Sequence, residues 1–243
     1  LVIGGSGFLG SRVSDFLTKN GHKVTILDKK KSIWINKNQS FIKGDISNVN
    51  SLKKAIKGKR YVYNFAAISD IEESNSKLLK TAHINIICNL KILQICKNFN
   101  VKRFIFASTV YTHSKQGGYY RVSKQSAELF IEEFCKRNNL NYTILRYGSI
   151  YGPRANKNNG INKIVSKALN KKKLEYGGSS QAKRRFIHID DASILSVDIL
   201  KNKYSNSNVL ITGNKNYNLK KVLNLIKKKT GIKSKILFKN YKN

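Results

Sequence analysis

Tyr120 and Lys124 stand four residues apart in Tyr120-Arg121-Val122-Ser123-Lys124. On a helix that spacing puts a phenol and an ammonium on one face, about one turn apart. An ordinary Tyr loses its proton near pH 10, and a nearby cation favours the phenolate. A phenolate so placed can take the proton of an alcohol while hydride leaves the adjoining carbon. By chance alone such a pair is surface decoration, so its place in the chain matters. It opens a helix that follows an apolar run ending in Ala107-Ser108-Thr109. Thr109 could hydrogen-bond the reacting hydroxyl; Ser108 is the weaker candidate.

A second constellation supplies the hydride acceptor. Gly4-Gly5-Ser6-Gly7-Phe8-Leu9-Gly10 lies between a β-type run and a helical one. Glycines at 4, 7 and 10 allow a tight turn, close approach of the backbone to a pyrophosphate, and close helix–strand packing. The helix N-terminus, with Phe8 and Leu9 in its first turn, then faces the anion. Asp28 ends the second β-type run about 20 residues on, which completes the dinucleotide pattern. Its carboxylate would accept from the adenosine ribose hydroxyls and repel a 2′-phosphate, favouring NAD over NADP. Lys29, Lys30 and Lys31 work against that preference, since they could neutralise Asp28 in part and tolerate a phosphate. A positively charged nicotinamide would add to Lys124 in lowering Tyr120.

The elements that must position these groups follow from periodicity. Strands are expected at Leu1–Gly4, Val24–Asp28, Ser40–Gly44, Tyr61–Ala66, Phe104–Ala107 and Tyr142–Arg146, with helices at Ser51–Ile56, Leu78–Cys96 and Ser123–Arg137. This alternation predicts an α/β doubly wound, Rossmann-type parallel sheet. After Tyr151-Gly152-Pro153 the pattern changes to a helix at Ile161–Leu169, extended pieces at Leu174–Tyr176 and Phe186–Ile189, and a helix from Asp191. A strand at Val209–Thr212, a helix at Leu219–Lys229 and a strand within Ile232–Phe238 follow. The expected organisation is a nucleotide-binding domain over 1–150 and a small C-terminal substrate cap over 151–243, some of whose C-terminal segments pack back on the first domain.

Composition narrows the partners. Among 243 residues, 47 Lys+Arg face 13 Asp+Glu, a formal net charge of +34. Such a balance ordinarily suggests nucleic acid or an anionic membrane. Yet 38 of the basic residues are Lys and 9 are Arg, the residue whose fork reads phosphate and guanine. Abundant Lys, Asn and Ile with a single Pro point to a nucleotide bias in the coding sequence. No nucleic-acid motif is present, the Lys clusters (Lys29–Lys31, Lys171–Lys173, Lys227–Lys229) fall at turns and helix ends, and no apolar run approaches the roughly 20 residues that span a bilayer. Neither a specific nucleic acid nor a membrane is therefore expected as a partner. Cys88, Cys96 and Cys135 show no paired metal-ligand spacing and are expected as buried free thiols in a reducing cytoplasm, with no metal. The chain starts inside a strand pattern and holds no Met, so it is expected to be a fragment with an incomplete cap.

Taken in order, these motifs resemble the extended short-chain dehydrogenase/reductase family, specifically its NAD-dependent sugar-nucleotide epimerases and dehydratases. The resemblance runs through the Gly4/Gly7/Gly10 turn, Gly44-Asp45-Ile46, Asn64-Phe65-Ala66-Ala67, Asn85, Thr109, Tyr120 and Lys124. It continues through Leu145-Arg146-Tyr147, Tyr151-Gly152-Pro153-Arg154 and Arg184-Arg185-Phe186-Ile187-His188-Ile189-Asp190-Asp191. It implies that Asp45 and Ile46 meet the adenine, that Ala66, Ala67 and Asn85 lie beside the cofactor, and that Tyr120 and Lys124 touch it. It further implies Thr109 as catalytic hydroxyl, Tyr120 as acid/base, Lys124 as supporting cation, and Arg184 on the diphosphate of a nucleotide-sugar substrate. His188 reads as structural; His113 either lines the sugar pocket or is a loop residue. A homodimer through the helices Leu78–Cys96 and Ser123–Arg137 is also implied.

Departures bear on the reaction. Family dehydratases carry an Asp-Glu pair after the catalytic Thr, whereas Val110 and Tyr111 stand here. Ser149, a substrate-side position, replaces a frequent Asn, and Arg185 an acidic residue. The expected activity is epimerisation by transient oxidation of a sugar hydroxyl. The alternatives are a nucleotide-sugar dehydrogenase or reductase with net cofactor turnover, and a non-catalytic dinucleotide-binding protein.

Overall fold

In the computed structural model, which describes residues 1–171 and 174–239, the β-branched runs are strands and the amphipathic stretches are helices. Val2–Ile3 (β1), Phe8–Lys19 (α1), Val24–Asp28 (β2), Gln39–Lys43 (β3), Val49–Ile56 (α2), Tyr61–Asn64 (β4), Ile71–Ser76 (α3) and Leu78–Ala82 (α4) come first. Cys88–Asn98 (α5), Arg103–Thr109 (β5), Gly118–Asn138 (α6), Asn141–Tyr147 (β6), Ser149–Tyr151 (β7), Gly160–Lys171 (α7), Leu174–Gly177 (β8) and Lys183–Arg184 (β9) follow. Phe186–His188 (β10), Ile189–Asp198 (α8), Ser207–Ile211 (β11), Tyr217–Asn218 (β12), Leu219–Thr230 (α9) and Ile236–Lys239 (β13) end the chain. Lys172 and Lys173 of the Lys171–Lys173 cluster lie outside the described residues.

Seven parallel strands form one sheet in the order β3-β2-β1-β4-β5-β6-β11. The chain winds outward from β1 to β3 and then returns to start again at β4, so the direction reverses between β1 and β4. Crevices at the carboxyl ends of strands beside such a reversal are where these sheets take ligands. Covered on both faces, a central strand must be apolar almost throughout. β5, Arg-Phe-Ile-Phe-Ala-Ser-Thr, meets that demand, with Phe104, Ile105 and Phe106 at most 1% exposed.

Two units make up the chain: residues 1–147 with 190–211, and residues 148–189 with 212–243. The cut therefore falls after Tyr147 rather than after residue 150, and the segment 190–211 belongs with the first unit. Buried polar contacts explain why. Tyr63 donates to the Ser196 carbonyl at 2.8 Å, and the Tyr147 hydroxyl lies 2.6 Å from Ser196 Oγ. Arg103, 2% exposed, donates from Nη1 to Ile199 O at 2.7 Å and Lys201 O at 3.2 Å, placing a cation on carbonyls that follow α8. The second unit pairs β7 with β10, β9 with β12 and β8 with β13, and α7, α9 and the β8–β13 pair meet at Ile164, Ala168, Leu174, Leu223 and Ile232.

Two departures from the sequence expectation lie next to the site. The single helix expected over Leu78–Cys96 is interrupted by a π turn at His83–Ile87. α3 was not expected; its signal is Asp70-x-x-Glu73, where Asp70 caps by accepting from Glu73 N at 2.8 Å. Cys88, Cys96 and Cys135 are buried free thiols. No helix among the described residues is long and apolar enough to cross a membrane.

Removing Arg103 would take away the donor that ties Ile199 O to β5 and open a cavity in the first unit. Arg103→Ala is expected to lower stability by about 3 kcal/mol or more in urea unfolding; a loss below about 1 kcal/mol would contradict the anchoring role.

Candidate active site

The glycine turn leaves β1 and enters α1 with almost no free space. Gly4 holds φ +75°, and a Cβ there would stand 2.7 Å from Ala66 N, at the loop that leaves β4. A Cβ on Gly10 would stand 2.3 Å from Gly4 O. The turns after the two strands that flank the reversal are thus pressed together, which only glycine allows. Gly7, the residue before α1, offers no side-chain cap, and the first turn of α1 carries no acidic residue. Phe8 and Leu9 therefore start a helix whose N–H groups suit an anion. Ser6 Oγ, in the same turn, is buried with no hydrogen-bond partner among the described residues. The cradle, the helix end and this orphan hydroxyl all fit the pyrophosphate of a dinucleotide.

Asp28 ends β2 under the turn. Its carboxylate accepts from Ser6 N at 3.0 Å and Lys29 N at 2.7 Å, tying the turn to the strand end. The Lys29 side chain reaches Asp45 at 2.9 Å instead of Asp28. Burial opposes charge on Asp45, but the hydrogen bond from Ser47 N and the Lys29 ammonium outweigh it and hold the carboxyl below its usual range. Ile46 beside it is buried.

The loop carrying Ala66 and Ala67 is fastened by asparagines. Asn64 Oδ1 accepts from Ala66 N at 3.1 Å, and Asn64 Nδ2 donates to Asn89 Oδ1 at 3.0 Å. Asn85, in the π turn, accepts from Ile68 N at 2.9 Å and donates to Ile68 O at 3.0 Å and to Ser123 Oγ at 2.9 Å. Both its amide hydrogens are thereby used within the protein. Asn85 thus clamps the loop and ties it to α6.

Tyr120, Lys124 and Glu128 follow at four-residue steps on α6 and share one face. The Tyr120 phenol lies beside Thr109 at the carboxyl end of β5. Burial pushes it up to about 12; the neighbouring Thr109 hydroxyl opposes this and Tyr111 adds to it. Lys124, 2% exposed, donates to Ala107 O at 2.7 Å and lies 4.5 Å from the Phe106 ring centroid. Burial pushes the ammonium down to about 7, partly offset by Glu128. The expected lowering of Tyr120 by Lys124 is thus not produced by the protein's own groups, because burial dominates at both residues.

Glu128 is absent from the sequence expectation, although its step of four from Lys124 marks it. It bonds Ser108 Oγ and forms a two-toothed pair with Arg146, Nη2 to Oε2 at 2.6 Å and Nε to Oε1 at 3.1 Å. Val110, Tyr111 and His113 form a 3-10 turn after Thr109, and His113 is exposed. In the second unit, Ser149 opens β7, bonded through its N to Arg185 O at 3.1 Å. Arg184 is half-buried on β9 with Nη1 on Lys183 O at 3.0 Å.

Sheet order, reversal point and glycine turn define the first unit as a doubly wound dinucleotide-binding fold. Residues 1–218 match the family described as NAD dependent epimerase/dehydratase, and the chain belongs to that family of enzymes. A Dictyostelium discoideum dTDP-D-glucose 4,6-dehydratase is 27% identical over 250 residues, covering 88% of this chain and 57% of the relative. This chain thus spans little more than half of that dehydratase's length. Among solved structures, UDP-glucose 4-epimerase from Thermotoga maritima with UDP-glucose superposes at TM-score 0.91 and 25% identity, covering all of this chain and 85% of that one. UDP-glucuronic acid 4-epimerase from Bacillus cereus, in complex with UDP-glucuronic acid and NAD, gives 0.89, also at 25% identity, covering 100% and 85%.

Lys124 also sets a stability signature. With its ammonium at about 7 in the fold and 10.5 when unfolded, the unfolded chain binds the extra proton between these values. Stability from this group is therefore lost as pH falls through about 7 and regained as pH rises toward 10.5. Lys124→Met is expected to flatten the rise in melting temperature between about pH 7 and 10 relative to wild type. An unchanged slope would contradict the buried-ammonium assignment.

Proposed function

We propose that this protein is an NAD-dependent epimerase acting on a nucleotide sugar of the uridine-diphosphate class. The observation that carries the reading is the meeting of Tyr120 with Thr109 at the carboxyl edge of β5, with Lys124, fastened to Ala107 O of the same strand, one turn along the same helix face. The nicotinamide, when bound, accepts hydride from a sugar carbinol carbon and gives it back.

The chain's own work is at the oxygen. Thr109 holds the sugar hydroxyl by hydrogen bonding, and Tyr120 takes its proton as the carbon is oxidised, then returns it on reduction. A phenol at about 12 resists losing its proton, so it ionises only when a positive charge is brought close, which couples proton transfer to cofactor binding. Lys124 is the basic side chain of the site and, with Tyr120, would contact the cofactor.

Gly4, Gly7, Phe8, Leu9 and Gly10 would hold the pyrophosphate. Asp28 would accept the ribose hydroxyls with the lone pairs its two backbone contacts leave open. Engagement of Lys29 by Asp45 supports NAD over NADP, since that ammonium is drawn away from a 2′-phosphate. Asp45 and Ile46 would meet the adenine, and Ala66 and Ala67 the cofactor's middle. Arg184, Ser149 and His113 are assigned to the substrate, Arg184 to its diphosphate.

Val110 and Tyr111 favour epimerisation over dehydration, because neither supplies a carboxyl group for eliminating water. Leu79 on α4 and Leu129 and Phe130 on α6 are exposed apolar residues on helices that pack together, which supports a homodimer formed there.

The test is turnover of UDP-glucose, UDP-N-acetylglucosamine and UDP-glucuronate with NAD, followed by chromatography of the epimers. Tyr120→Phe is expected to lower kcat by about 100-fold or more without preventing NAD binding. Turnover of none of these substrates by the wild type, or an undiminished rate in Tyr120→Phe, would contradict the reading. Steady net formation of NADH would replace it with a dehydrogenase.

A further inference from the structure

α6 begins without a cap of its own. Gly117 precedes it at φ +103° and has no side chain to accept from the first N–H groups. The acceptor comes from far away in sequence: Tyr119 N donates to Asn75 Oδ1 at 3.0 Å, from α3. Room for that contact depends on Gly118. Its φ is +51°, and a Cβ there would stand 2.2 Å from Asn75 Oδ1. An external acceptor and a glycine that admits it thus meet one residue before Tyr120.

The same turn is held a second time. Asn85 Nδ2 donates to Ser123 Oγ, and Ser123 Oγ donates to Tyr120 O at 2.9 Å. Asn75 differs from Asn85 in being exposed, so its side chain adds little to packing.

We propose that Asn75 is a positioning residue that fixes the first turn of α6 and so holds the Tyr120 phenol against Thr109. The proposal rests on the reading of Tyr120 as the acid/base. Without the acceptor the first turn frays, as uncapped helix ends do. The phenol then samples positions away from the reacting oxygen, and displacements on the order of 1 Å lower turnover by up to about 100-fold. Substrate affinity need not change, because Asn75 is not among the residues assigned to ligands.

The experiment uses whole protein with NAD and whichever of UDP-glucose, UDP-N-acetylglucosamine or UDP-glucuronate the wild type turns over. Asn75→Ala is expected to lower kcat about ten-fold with KM within about two-fold. Amide hydrogen exchange over residues 118–122 should rise about five-fold, with the melting temperature nearly unchanged. Asn75→Asp keeps an acceptor, adds a charge that suits a helix N-terminus, and should return kcat to within about three-fold of wild type. Gly118→Ala should reproduce the Asn75→Ala loss by pushing Asn75 away. Gly21→Ala, at φ +80° with nothing within 4 Å of its added methyl, should lower stability and leave kcat unchanged. A wild-type kcat in Asn75→Ala, or a loss that Asn75→Asp does not recover, would overturn the proposal. If Tyr120→Phe is inactive while Asn75→Ala is fully active, this inference alone fails. If Tyr120→Phe keeps its turnover, the acid/base reading fails and takes this inference with it.

Discussion

Glu128 carries its charge where little water reaches it, and the placement of α6 depends on how that charge is met. Its carboxylate is 4% exposed and bonds Ser108 on β5 and Arg146 on β6, so one side chain pins the helix to two adjacent strands. A buried pair of this kind gives little net stability, but losing one partner is severe, about 3–5 kcal/mol. Its value here is in register. Tyr120, Lys124 and Glu128 lie on one stripe, so fixing the last fixes the other two along the helix axis. Slippage by a single residue would turn the phenol about 100° away from Thr109. Glu128 also offsets part of the burial that presses Lys124 toward neutrality.

The other half of the site depends on the absence of atoms. Gly4 and Gly10 let the turn after β1 fold onto itself and onto the loop after β4, so the reversal point of the sheet becomes an anion cradle. Buried asparagines then stiffen the opposite wall. The large positive charge plays little part in this architecture. Of the basic residues described, Arg103 and Lys124 are the buried ones, and each rests on backbone carbonyls. The remainder is largely a Lys-rich surface, and Lys29 is the member of the nearby cluster that the site engages, through Asp45.

Much of this was legible in the sequence because it is local. The sheet's strands announce themselves as β-branched runs, and the glycine turn by its spacing between a strand and a helix. Tyr120 and Lys124 need only a helical period to share a face. What escaped was either non-local or dependent on backbone irregularity. The π turn hides inside a pattern that reads as one helix, and it is the turn that bears Asn85, with its amide used inside the protein. Asn75 meets Tyr119 across 44 residues, a distance no local pattern spans. Which later segments pack with the first strands depends on Tyr63, Tyr147 and Arg103, whose partners in 190–211 are remote in sequence. Glu128 was visible as the next step of four beyond Lys124, but its partners Ser108 and Arg146 come from other strands. The protonation tendencies of Tyr120 and Lys124 could not be read either, since spacing says nothing about burial.

In the proposed cycle Tyr120 exchanges a proton with a sugar hydroxyl while the carbon that bears it is oxidised and then reduced with inversion. Incubation of UDP-glucose, UDP-N-acetylglucosamine and UDP-glucuronate with the protein and NAD in deuterated water, followed by proton NMR of the product, tests it most directly. The expected product is an epimer that keeps hydrogen at the inverted carbon and takes up no solvent deuterium on any carbon. Deuterium on the carbon next to the oxidised centre, as elimination of water would leave it, would contradict the account.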